Sequence, residues 1–165
     1  MTPPPHAQLV APVADLAYLD CQSITLPAPI TPLQAWRMVM AAPLPGMRLA
    51  FRIRDAISAR FGVARIGGFS GAQPVQPRVG DKLDFFLIEA ISDGVLTLTA
   101  RDRHLDVMTC ITSAGCDLAI TASVITHNRF GRAYMLPVAP AHKLIVWLML
   151  RRIRRAALAR HQTMA

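Results

Sequence analysis

From residue 81 the apolar positions recur at every second place. Leu83, Phe85, Leu87 and Ile91 lie on alternate positions, and Ser92-Asp93-Gly94 follows as a hairpin signal of type I′. With Ser92 opposite Val95, Ile91 faces Leu96 and Leu87 faces Ala100. The apolar parity then switches twice. It is even at Leu96, Leu98 and Ala100, odd at Leu105, Val107 and Ile111, and even again at Leu118, Ile120, Ala122 and Val124. A continuous strand cannot change parity without turning its apolar side outward. Each switch therefore predicts a hairpin. One falls at "RDRH", with a four-residue loop over 101–104 that sets Leu105 opposite Ala100. The other falls at Ala114-Gly115 and aligns Leu118 with Ile111. Residues 81–127 read as a four-stranded antiparallel meander with one apolar face.

The period before the meander is different. "AYLDCQSITL", 17–26, reads as a first strand with weak alternation. Thr31, Pro32 and Gln34 form a helix start with a capping box, and Leu33, Trp36, Val39 and Met40 follow at helical spacing. "GMRLAFRIRDAISARFG", 46–62, predicts a second helix with the stripe Ala50, Ile53, Ile57 and Phe61. A long glycine- and proline-rich loop follows over 63–81. It has no Gly-Lys-Ser/Thr and no helix behind it, so it is not a phosphate loop. After the meander, 127–140 is expected to be a turn-containing connection, with Gly131 supplying a turn conformation. Pro140 opens a final helix whose first two turns are apolar all round and should be buried. Residues 1–14 read as a flexible, proline-rich lead, and 15–160 as a single domain. Strand, two helices, meander and long helix together predict an α+β fold, a curved antiparallel sheet gripping its C-terminal helix.

Charge changes this picture locally. The formal net charge is +8. Eight of the 18 basic residues sit in two places, Arg48, Arg52 and Arg54 on the second helix, and Arg151, Arg152, Arg154, Arg155 and Arg160 on the last. An excess of this kind points to an anionic partner. Three cysteines with no CxxC favour neither a disulfide framework nor a zinc site, and fit a reducing, cytoplasmic compartment. "MTPPPHAQLV" has neither the basic start nor the apolar run of a signal peptide. The longest unbroken apolar run, "LIVWLML" at 144–150, is far shorter than the ~18–20 residues of a membrane span.

Three motifs carry a resemblance. "IRDAISARFGV", "RDRHLDV" and "HNRFGRAYMLPVAPAHKLIV" are similar, in order, to patterns of the domain-of-unknown-function family numbered 2867. Ile53 stands where that family usually has leucine, and Ala141 where it tends to have phenylalanine. The resemblance implies a Bet v 1-like (START-like, SRPBCC) helix-grip fold. It also implies a small hydrophobic or amphipathic ligand, or a lipid, held between sheet and last helix. It implies no activity.

The candidate ligand contacts follow from register and motif. The alternation sets Glu89 on the apolar face opposite Leu98, where an unpaired carboxylate is costly. It either meets a ligand, pairs with a helix arginine such as Arg54, or is turned out by a bulge. "TLTARDRHLDV" sets Asp102, His104 and Asp106 at alternate positions, but the predicted turn removes Asp102. His104 and Asp106 remain as an acid/base pair or a solvated hairpin end. Asn128, Arg132, Tyr134 and His142 surround the approach to the last helix and either line a ligand mouth or latch the connection. No nucleophile elbow, His-Glu-x-x-His or metal-ligand pattern occurs, so no catalytic residue, metal or cofactor is assigned. An enzyme using His104 or His142 is the alternative to a binding protein. A third reading is a peripheral membrane module that uses Arg151, Arg152, Arg154 and Arg155. These arginines lack interleaved aromatics, which weighs against nucleic acid.

Overall fold

A computed structural model describes residues 2–41 and 76–164, without the side chains of 160–164. The helix expected over 46–62, with Arg54, and most of the loop after it lie outside the described residues. The fold is α+β. Six antiparallel strands form one curved sheet: β1 (Tyr18–Thr25), β2 (Lys82–Leu83), β3 (Phe86–Ile91), β4 (Val95–Arg101), β5 (Leu105–Ala114) and β6 (Asp117–Thr126). Two α-helices are described, α1 (Pro32–Met40) and α2 (Arg129–Met164), besides a single 3-10 turn at Val13–Asp15. The order across the sheet is β1-β6-β5-β4-β3-β2. The meander thus has five strands, and the first strand of the chain pairs with the last.

The meander departs from the expected pairing in instructive ways. The expected first strand is split by a two-residue turn at Asp84-Phe85, where Asp84 takes φ 56°. Aspartate tolerates this left-handed conformation better than most residues. A bulge between Ile88 and Ala90 then shifts the pairing, so Ile88, not Glu89, lies opposite Leu98. Ile91 still faces Leu96, as expected, whereas Leu87 faces Thr99. The Asp93-Gly94 turn keeps the predicted register but is not type I′, because neither residue has positive φ. Ser92 Oγ accepts from Gly94 N and Val95 N and holds the turn instead.

The next two hairpins are displaced by two residues. Ala100 pairs with Val107 rather than Leu105, and Ile111 with Ile120 rather than Leu118. A shift of two preserves every face, so the apolar side is as predicted. The first displacement has a local cause. Asp102 Oδ1 accepts from His104 N (2.7 Å) and Leu105 N (3.0 Å), which moves the loop to 102–105. The second turn sits at Gly115-Cys116, with Gly115 at φ 59°.

α1 begins as read. Thr31 Oγ1 accepts from Gln34 N, and Gln34 Oε1 accepts from Thr31 N. Trp36 and Val39 pack with Leu83, Ile88, Leu96 and Leu98 of the concave face, and Val146, Leu150 and Ile153 of α2 close the core.

α2 begins earlier than the sequence suggests. Residues 129–140 are helical, with Pro137 and Pro140 inside the helix. Each proline removes one helical hydrogen bond, which normally disfavours an interior position. Both prolines are exposed, as are Ala133 and Leu136, whose carbonyls they orphan, so water can reach those carbonyls. Gly131 is helical rather than in a turn. The turns after Pro140 are not buried all round, since Leu144 and Trp147 are 56% and 44% exposed. By length and composition, Arg129–Ala159 is apolar enough to cross a membrane, and 17% of its most apolar window is buried. The sequence run at 144–150 understated this, because three-dimensional continuity joins it to the apolar residues before it.

The convex face is buried as well. Thr97, Thr99, Cys110, Thr121 and Ser123 have almost no exposure. The N-terminal segment lies against this face, with Val10 N donating to Ser123 Oγ (3.0 Å) and Gln8 N to Cys110 Sγ (3.4 Å). Threonine suits both demands here, a branched Cβ for the strand and a hydroxyl that finds a partner.

Candidate functional site

A cavity of about 260 Å³ lies between the concave face and the N-terminal half of α2. Its walls are mainly apolar, with Tyr18, Val107 and Val124 on the sheet side and Tyr134, Met135 and His142 on the helix side. Alternation on β1, β5 and β6 turns these strand residues inward, and the same face is covered by the helix. Phe85 reaches the cavity from the β2–β3 turn, and Arg101 and Asp102 supply polar groups beside it.

His142 is the polar feature of the helix wall. Its ring meets Tyr18 edge-on at 5.9 Å. Its Nδ1 is sealed from solvent and has no hydrogen-bond partner among the described residues. Burial holds the imidazole below its ordinary pKa of 6.5, against the opposing pull of Asp20. The Tyr18 hydroxyl donates to the Ala139 carbonyl at 3.4 Å, and its pKa is pushed up to about 12, by burial first and by Asp20 second. Asp20 is in turn held by Gln22 Nε2 (2.7 Å), with Lys143 Nζ at 3.9 Å. Gln22 also donates to the Lys143 carbonyl, which ties β1 to α2 beside the cavity.

A second cluster stands where α2 begins. Asn128 caps the helix, its Oδ1 accepting from Gly131 N (3.0 Å). Its Nδ2 donates to the Arg103 carbonyl. His104 Nδ1 lies 3.1 Å from Asn128 Oδ1, and Arg103 Nε donates to His104 Nε2 at 2.9 Å. With Nε2 accepting from Arg103, Nδ1 carries the ring hydrogen and donates to Asn128 Oδ1, while Asn128 Nδ2 stands 2.9 Å from the same nitrogen. Phe130 packs on His104 at 4.7 Å. Gly131 sits so close that an added Cβ would collide with the His104 carbonyl. The two motifs at 102–106 and 128–134 therefore meet as a latch between the β4–β5 loop and the start of α2.

The structure thus divides the residues singled out from sequence. Tyr134 and His142 line the cavity. His104 and Asn128 form the latch, and Arg132 is exposed on the first turn of α2. The bulge turns Glu89 to the convex side, where it accepts from Thr99 Oγ1 and Arg101 Nη2, each at 2.8 Å. Asp106 shares that side, opposite Arg101, with His127 Nε2 at 3.1 Å. Arg151, Arg154 and Arg155 are exposed near the far end of α2, with Arg152 half-buried among them. Sequence reading missed Tyr18 and Asp20. Their signal was present, since Tyr18, Asp20 and Gln22 recur at alternate positions and share the face that meets α2. Among the described residues, no group of three metal-ligating side chains occurs.

No curated protein and no solved structure matches the chain. Residues 12–149 match the model of a family described as protein of unknown function, DUF2867. That span runs from the segment before β1 to the middle of α2 and includes the cavity walls and the latch, so the chain belongs to the DUF2867 family.

Proposed function

We propose that this chain holds a small, mainly apolar molecule carrying one polar group in the cavity between the concave face and α2. One observation carries the reading. His142 lines a mainly apolar cavity, and its Nδ1 is a buried polar atom with no hydrogen-bond partner among the described residues. Leaving such an atom unpaired costs about 1–3 kcal/mol. A ligand hydroxyl or carbonyl that Nδ1 reaches by a turn of the imidazole ring recovers that energy and fixes the orientation of the bound molecule, while aromatic walls supply the contact area. The neutral imidazole can accept or donate at Nδ1, so both kinds of ligand group fit. The sheet-and-helix layout also supports the expected kinship with START-like (SRPBCC) domains, whose cavities lie in the same place. Of the two histidines considered as acid/base groups, His104 has both ring nitrogens engaged in the latch, which leaves His142 for any chemistry.

The test is native mass spectrometry after gentle purification, combined with uptake of the neutral probe N-phenyl-1-naphthylamine. The wild-type chain is expected to carry or take up an apolar molecule. Val138→Phe, which fills the cavity from α2, is expected to abolish uptake while leaving the melting temperature at or above that of the wild type. Wild-type protein with neither adduct nor probe uptake would overturn the reading.

A further inference from the structure

α2 bears an exposed stripe that no other described element packs against. Leu136, Pro140, Leu144, Trp147, Arg151, Arg154 and Leu158 follow one another at steps of three and four, so they share one face of the helix. All seven are exposed, Leu136 at 77%. The opposite face carries Met135, Val146, Leu150 and Ile153 into the protein. The stripe is divided along its length. Its first part is apolar and ends at Trp147, and its second part is cationic, with Arg155 beside Arg151 and Arg154. The guanidinium of Arg151 stacks over the Trp147 ring at 4.3 Å and joins the two parts.

The charge of the whole chain resides here. α2 contains eight lysines and arginines and no aspartate or glutamate. The ten remaining basic residues balance the ten acidic ones, so the +8 of the chain belongs to this helix. We infer that α2 docks this stripe on an anionic lipid bilayer, with Leu136, Leu144, Trp147 and Leu148 entering the headgroup boundary and Arg151, Arg154 and Arg155 on lipid phosphates.

Three considerations select this occupant. An interfacial helix needs exposed apolar side chains and cations together, and both are on this face. Nucleic acid would use the arginines but leave the leucines without a partner. A second copy of the chain would bring two helices of eight positive charges together with no carboxylate on either to pair them. The helix lies on the bilayer rather than crossing it, because its other face closes the core. Withdrawing Val146, Leu150 and Ile153 would open that core.

The full chain is tested by flotation with vesicles of phosphatidylcholine alone, and with vesicles containing an equal share of phosphatidylglycerol. Trp147 supplies an internal probe, since the only other tryptophan, Trp36, is buried. The expected result is flotation with the anionic vesicles only, lost at high salt, with a blue shift of the tryptophan emission. Arg151→Gln/Arg154→Gln/Arg155→Gln should weaken binding roughly a hundredfold at about tenfold or less per residue. Leu144→Glu/Leu148→Glu should abolish the blue shift. Both variants change exposed side chains, and their melting curves report that the fold is retained. No flotation with anionic vesicles would overturn the inference. So would flotation without a blue shift, or retention by duplex DNA at a salt concentration where vesicles do not bind.

Discussion

His142 is where burial and chemistry meet in one side chain. Its folded-state pKa lies below the ordinary 6.5 because burial penalises the imidazolium. The unfolded chain therefore binds the proton more readily. Stability is full above pH 6.5 and falls as the pH drops from there toward the lowered folded value. Denaturation by urea at several pH values should show this slope in the wild type and lose it in His142→Phe. The Tyr18 phenol has the opposite sign at the alkaline end. Its stabilising contribution is present below pH 10 and is lost as the pH rises toward about 12. Ultraviolet titration should show one late-ionising tyrosine that disappears in Tyr18→Phe. Gly131 sets two effects against each other. Alanine in a helix gains about 1 kcal/mol over glycine, but here its Cβ would strike the backbone carbonyl of His104. A backbone atom cannot swing aside as a side chain can, and overpacking of this kind costs about 1–3 kcal/mol. Gly131→Ala is expected to be net destabilising by thermal melts. Gly94→Ala, whose Cβ would meet only an ordinary 3.5 Å contact with Ser113 O, should be milder.

At the scale of elements, the N-terminal segment and the convex face stabilise each other. Val10→Pro removes the N–H that pairs with Ser123 Oγ, and a loss of about 1–2 kcal/mol is expected by chemical denaturation. The same scale shows what the chain made legible. Parity placed every strand of the meander from β4 onward on the correct face, because face is a two-residue periodicity that side-chain type reports directly. It misplaced the register by two at 102–105, because an aspartate side chain turned the backbone and parity is blind to even shifts. It misplaced Glu89 because a bulge adds one residue, and nothing in the residue types "IEA" marks it. Pro137 and Pro140 concealed the start of α2. The helix persists through them because they face water, and exposure is a tertiary property. The alternation predicted only one apolar face, and the burial of the threonines on the other was not legible because their cover, a segment of low periodicity at the start of the chain, is remote in sequence. The cavity was half visible. Tyr134 and His142 stood in a motif, whereas Tyr18 and Asp20 became part of the site only once β1 was set beside α2.

At the scale of the molecule, the sheet has two kinds of connection. β2 to β6 are joined by short turns and pair with their neighbours in sequence. β1 pairs with a strand about a hundred residues further on, with Tyr18 opposite Val124. This imposes an order of events during synthesis. At roughly 5–20 residues per second, β1 leaves the ribosome some 5–20 seconds before its partner has been made. For that interval it has no strand to bond with, and the threonine face and the N-terminal segment have nothing complete to rest on. The nascent chain passes through a long stage with a bare strand edge.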